Sequence, residues 1–276
     1  EKRPLPPFAK MLRRWRSSRK RSQLELALDA NVSQRHLSFL ESGRAHPSRE
    51  MILQLSEVLE IPLRERNLLL NAAGFAPVFH QRTLQDDEMK AVRDALELIL
   101  LQHEPFPALV VNRDWNMLMR NRAADRFLSL LGNADDAWQK VDPSGLYNVM
   151  RMTFHPDGLQ PFIRNWSQAS TLLIARLFRE VAADPSNDTL RALFEEICEY
   201  PGIPDHWRSH DWATTPAPIL PLELGMGSLE LKLFSMISSF GTALDITADE
   251  LRIETFFAVD EFTRNFFHVL ALQDKS

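Results

Sequence analysis

The chain has 276 residues, 45% of them hydrophobic and 25% charged, and at roughly 100 to 200 residues per domain it holds two cores but not comfortably three. No apolar run approaches the roughly 18 residues that a membrane-spanning helix needs, so insertion into a bilayer is not expected. The basic N-terminus is followed by no apolar segment of a secretory signal, and the single cysteine, Cys198, has no internal disulfide partner; both fit a reducing, cytoplasmic setting.

The formal net charge of −5 argues against nucleic acid only as an average. Residues 1–80 carry 14 Lys and Arg against 8 Asp and Glu, whereas the remainder carries 18 against 29. Lys2, Arg3, Lys10, Arg13, Arg14, Arg16, Arg19, Lys20 and Arg21 precede Ser22 with Glu1 alone opposing them, a density that attracts a phosphate backbone or forms a solvated helix face.

The first element is a helix over Phe8–Arg19, because Phe8, Met11, Leu12 and Trp15 recur at helical spacing and leave the arginines outside. Ser22 then opens a short helix carrying Leu24, Leu26, Ala27 and Ala30. Asn31-Val32 breaks it, and Ser33 opens another through Leu37 and Leu40. Each serine sits where its side-chain oxygen can cap free amides. Gly43 can take the positive φ that ends this helix. Pro47-Ser48 starts a further helix through Met51, Ile52, Leu55 and Leu59, and Asn67–Ala73 reads as a closing helix stopped by Gly74 and Pro77.

The ordered set Ser22-Gln23, Leu26-Ala27, Val32-Ser33, Leu37-Ser38, Leu40-Glu41, Gly43-Arg44 and Pro47-Ser48 resembles the helix-turn-helix of the XRE/Cro/C1-type family over roughly residues 8–65. In such a motif the second helix of the pair enters the major groove N-terminus first, which puts Gln34, Arg35 and His36 at base edges. Gln suits adenine and Arg suits guanine. His36 is alternatively a solvent- or phosphate-facing side chain. Phe39 can touch a thymine methyl or pack in the core. The resemblance further implies that Gln23 contacts phosphate or a base edge and that Arg44 and Ser48 touch the DNA backbone, positioning rather than reading.

A domain boundary is expected near residue 80, dividing the chain into 1–80 and 81–276. Met89, Val92, Leu96, Ile99 and Leu100 restore helical periodicity, and from Pro107 the period changes. Ala108–Val111 and Trp115–Met119 read as two strands about a polar turn, and Asn121 opens a helix through Ala123, Ala124, Phe127 and Leu131. Further helices are expected over Trp166–Ala183 and Asp188–Tyr200. Leu229–Leu233 and Leu251–Phe256 alternate as strands across a Thr247–Asp249 turn, and Asp260–Leu272 reads as a helix.

Strand, turn, strand and the Asn121-Arg122-Ala123-Ala124 helix opening resemble the first half of a PAS domain. With the linker Ala72–Pro77, Pro105–Ala108 and Asp114–Asn116 they resemble the MmyB-like family, in which an XRE head is joined to a PAS-like ligand-binding domain. The fold implied is α+β overall: an all-α helix-turn-helix domain, then an antiparallel sheet flanked by helices. The function implied is a transcription factor whose C-terminal domain holds an apolar, fatty-acid-like ligand. Thirteen of 17 phenylalanines lie beyond residue 80, a wall that suits such a ligand or simply fills a core. Trp115, Met117, Phe127, Phe154 and Phe162 are candidate lining residues, and Arg120 or Arg151 could meet a carboxylate head.

His206 and His210 lie one helical turn apart, but no third ligand motif accompanies them, so no metal site is expected. Cys198 beside Ile197 reads as a small buried residue. The sequence has no G-x-S-x-G, P-loop or G-x-G-x-x-G, and neither catalysis nor a catalytic cofactor is expected. One short recognition helix contacts too few bases to find a genomic site, so a homodimer on a pseudo-palindromic double-stranded operator is expected. The alternative for the C-terminal domain is a protein-interaction or dimerisation module with no small molecule.

Overall fold

The computed structural model describes residues 4–130, 132–184, 186–204, 207, 219 and 221–272. Two compact units are formed. One comprises residues up to Met89 together with Phe240–Asp249, and the other Lys90–Ser239 together with residues from Glu250 onward.

In the first unit, helices α1 (Pro7–Ser18), α2 (Gln23–Asp29), α3 (Gln34–Glu41), α4 (Arg49–Val58) and α5 (Leu63–Ala72) follow one another closely. Serine capping explains three of the starts. Ser22, Ser33 and Ser48 accept from the amides of Glu25, His36 and Met51, each at 3.1 Å, and Glu25 returns the bond to the Ser22 amide at 2.7 Å, completing a capping box. Phe8, Leu12, Leu26, Ala27, Leu37, Leu40, Ile52 and Leu55 form one buried cluster, with Ala27 small where helices cross.

The second unit contains α6 (Lys90–Gln102), β1 (Ala108–Val111), β2 (Met117–Arg120), α7 (Arg122–Ser129), α8 (Ala134–Val141), α9 (Val149–Phe154), α10 (Trp166–Ala183), α11 (Asp188–Cys198), β3 (Leu222–Met226), β4 (Leu229–Ser238), β5 (Arg252–Ala258) and α13 (Glu261–Leu270). The strands make a five-stranded sheet in the order β2-β1-β5-β4-β3, with every neighbouring pair antiparallel. The protein is therefore α+β, with an antiparallel sheet flanked by helices as expected. Asn121 joins several of these pieces. Its side-chain oxygen accepts from the amides of Ala108 and Ala124, both at 3.0 Å, and its amide nitrogen donates to the carbonyls of Leu100 (3.2 Å) and Phe106 (2.8 Å). A buried polar residue at the start of α7 is thus fully used.

Four elements depart from the sequence reading. β3, α8 and α9 went unread as regular structure. In place of a Thr247–Asp249 turn, the chain forms α12 (Ile246–Glu250). The segment carrying it belongs to the first unit, where the Ile246 amide donates to the His80 carbonyl (2.9 Å), Arg82 pairs with Asp245 (3.0 Å) and the Leu63 amide donates to Asp249 (3.3 Å).

Candidate functional site

On the first unit, α3 buries Leu37 and Leu40 and leaves Gln34 and Arg35 exposed. His36 and Phe39 are half-buried, and the Arg35 guanidinium lies over the Phe39 ring at 5.4 Å. Phe39 therefore steadies the Arg35 guanidinium beside it by a cation–π contact. Arg44 and Ser48 are exposed, and the Ser48 oxygen serves as the cap of α4 while its hydroxyl is within hydrogen-bonding reach of Glu50. Gln23 is half-buried and donates to Glu41 at 2.7 Å.

Glu41 organises the base of this surface. It is buried, accepts from Arg16 at 2.6 and 3.0 Å, and so ties α1 to α3. The Arg16 pKa is raised, first by that hydrogen bond. Arg19 donates to the carbonyls of Leu59 (3.0 Å) and Glu60 (2.9 Å), and Arg21 pairs with Asp29 at 2.5 Å. Part of the N-terminal basic run thus has an intramolecular role, while Lys10, Arg13 and Arg14 remain exposed.

The second unit contains an apolar cavity of about 190 Å³, larger than the roughly 150 Å³ that suffices to hold a benzene-sized guest. The sheet supplies Leu109, Leu222, Leu224, Leu233, Ser235, Glu254 and Phe256. Helix α7 adds Ala124, Phe127 and Leu128; α9 adds Met150, Met152 and Thr153; α10 adds Leu172, Leu173 and Arg176. Trp115, Met117 and Trp138 complete much of the wall. The Trp138 indole nitrogen is buried and has no hydrogen-bond partner among the described residues.

Trp115 is 1% exposed and has φ of +66°, a conformation a bulky residue adopts only when its surroundings hold it. They do so here. Its indole N–H donates to Glu180 at 2.8 Å, and the guanidiniums of Arg176 and Arg252 lie 4.8 and 5.3 Å from the ring. Glu180 also accepts from Arg176 (3.0 Å) and Arg252 (2.8 Å). Glu254 stands on β5 opposite Leu109 and Ile237, with 9% of its surface exposed. Burial pushes its carboxyl above the ordinary glutamate range, against the hydrogen bond with Ser235 and the charge of Arg176.

Of the residues expected from sequence, Trp115, Met117 and Phe127 line this cavity. Phe154 is packed into the core against Trp166, and Phe162 borders a separate cavity with Pro161 and Asp157. Arg120 pairs with Asp125 at the surface. Arg151 is held by Glu196 (2.8 Å) and Asp142 (3.1 Å). Neither arginine is among the lining residues, and their guanidiniums are satisfied by neighbouring acids. Sequence reasoning missed Glu254 and Arg176. His206 and His210 lie outside the described residues, among which no cluster of metal-ligating side chains occurs. No helix there is long and apolar enough to cross a membrane.

The model of the MmyB-like transcription regulator ligand binding domain matches residues 92–270, and a helix-turn-helix model matches residues 12–66. None of the curated proteins compared with the chain matches it.

Proposed function

The chain belongs to the MmyB-like transcription regulators, DNA-binding proteins that join a helix-turn-helix to a ligand-binding domain, and on that premise we propose that an apolar, fatty-acid-like molecule in the cavity sets the affinity of the head for a specific operator. The cavity carries this reading: a partly open, mainly apolar space, walled by adaptable Met, Leu and Phe side chains, is well suited to a flexible hydrocarbon chain. Neither matched family is one of enzymes, and the reading needs no catalytic step.

Gln34, Arg35 and His36 read base edges, Phe39 stiffens Arg35 or meets a thymine methyl, and Gln23, Arg44 and Ser48 fix the backbone register. Residues 1–80 form the reading domain and 81–276 the sensing domain. The protein works as a homodimer in the cytoplasm, on half-sites about one helical turn, roughly 34 Å, apart. Trp115, Met117 and Phe127 contact the ligand.

The test uses the full chain. Its operator is mapped by footprinting, and DNA affinity is then measured with and without decanol or decanoic acid. A coupling of about 1–3 kcal/mol is expected. Ligand binding, read as a rise in thermal stability with occupancy, that leaves operator affinity unchanged would overturn the regulatory reading. A monomer in sedimentation, both free and on DNA, would overturn the dimer.

A further inference from the structure

The polar side chains of the cavity wall have partners inside the protein, with one exception. The Thr153 hydroxyl donates to the Val149 carbonyl at 2.8 Å, the Trp115 indole N–H to Glu180 at 2.8 Å, and Arg176 to Glu180 at 3.0 Å. Ser235 and Glu254 partner each other, with the carboxyl ionised or neutral. The exception is Trp138. Among the described residues the buried polar side-chain atoms without a partner are Ser56 Oγ, Gln160 Oε1 and Trp138 Nε1, and of these three residues only Trp138 lines the cavity. A buried donor without an acceptor has given up its hydration and gained nothing in return.

The surroundings of the indole say where an acceptor can come from. Trp138, on α8 and 4% exposed, packs in an apolar cluster with Met117, Leu128, Met152 and Leu159, all of which line the cavity as well. Tyr147 stands perpendicular to the indole at 5.4 Å and offers only a π face, a far weaker acceptor than an oxygen. The methionine chains are unbranched and adaptable, so a guest pressing on this wall can bring an oxygen to the N–H. A carbonyl brings acceptors only and suits a lone donor, whereas a hydroxyl brings a hydrogen that needs an acceptor of its own. We infer that Trp138 is a ligand-binding residue whose indole N–H donates to a carbonyl oxygen on an otherwise apolar guest. The inference rests on the ligand-binding reading above and names the protein group that meets the ligand's oxygen.

The test uses the full chain with methyl pentyl ketone and heptane, and reads affinity from the rise in thermal stability with ligand concentration. Trp138→Phe keeps an aromatic ring in the wall and removes the N–H. The ratio of ketone to alkane affinity should fall about threefold to tenfold in this variant, heptane serving as the measure of any change in volume. A second measurement needs no variant. In the isotope-labelled wild-type protein, the indole proton of Trp138, assigned through its contacts with Met152 and Leu128, moves downfield with the ketone and not with heptane. An unchanged affinity ratio in Trp138→Phe, or an indole proton that responds alike to both compounds or to neither, overturns the role of Trp138. Failure of both compounds to bind the wild-type protein overturns the ligand reading itself.

Discussion

At the scale of single residues, Glu254 makes stability depend on pH in a direction opposite to most acids. Its folded carboxyl is pushed above the ordinary value of 4.5 by burial. The folded state therefore binds more protons than the unfolded state between those two values, and stability falls as pH rises through that window. Glu254→Gln should remove this slope, so its advantage over the wild-type protein grows with pH in urea titrations; a constant difference would contradict the assignment. Asp142 and Glu196 act the other way and lower on the scale. Burial opposes their ionisation, but hydrogen bonds from Ser144 and Asn148 to the first, and from Arg151 and Tyr200 to the second, hold both below their ordinary values. Their stabilisation is lost as pH falls through those depressed values. On the first unit, Gln34→Ala and Arg35→Ala should each weaken specific DNA binding by about 1–3 kcal/mol while sparing random DNA. Replacing Arg44 should weaken all sequences alike and reduce the salt dependence. Competition titrations against random DNA separate the two kinds of contact.

At the scale of elements, what can be read from sequence follows from whether local chemistry alone decides an element. The starts of α2, α3, α4, α7 and α13 were legible because a Ser, Asn or Asp caps each one and an apolar stripe follows. α9 is capped by Asn148 but has six residues, too short for a sustained period, and β3 contains Gly225, whose added Cβ would fall 2.0 Å from the Arg164 side chain; tertiary packing decides those two. α8 is as long as α3 and α7 and is capped by Asn133, so its local signals are those of the legible helices. The cavity's aromatic wall was partly legible in the Phe and Met content, but its polar cluster was not: alternation puts Arg252 and Glu254 on a face that reads as solvated, and only the helix crossing that face buries Glu254. Gly43 shows the opposite case, a position that local sequence does announce. It ends α3 at φ of +70°, and a Cβ there would lie 2.5 Å from the Pro6 ring. Gly43→Ala should therefore cost about 1–3 kcal/mol, from left-handed backbone strain and displacement of the segment before α1. Urea unfolding checks it, and a variant as stable as wild type would show that the Pro6 segment yields freely.

At the scale of the whole molecule, the proposed effect of an occupied cavity on the head has a route in chain continuity. β4 and β5 both line the cavity, through Leu233, Phe234, Ser235, Glu254 and Phe256. The connection between them is no free loop: Phe240–Asp249 is built into the first unit. There Asp245 pairs with Arg82 at 3.0 Å and caps the Thr247 amide at 2.8 Å, the Thr247 hydroxyl donates to the Arg82 carbonyl at 2.5 Å, and Asp249 accepts from the first amide of α5. A guest that repositions the ends of β4 and β5 must pull on or release this anchored segment, because only a few residues separate it from either strand. Coupling of this kind requires a differential interaction in two states, and the Arg82–Asp245 pair is the charged fastening available to supply it. Arg82→Met should leave both decanol binding and operator binding in the separate titrations close to wild type, since its side chain neither lines the cavity nor lies in the recognition helix. The change in operator affinity caused by decanol should fall towards none. Full retention of that change in the variant would mean that the segment carries no coupling, and loss of operator binding without decanol would mean that the pair holds the head's own fold instead.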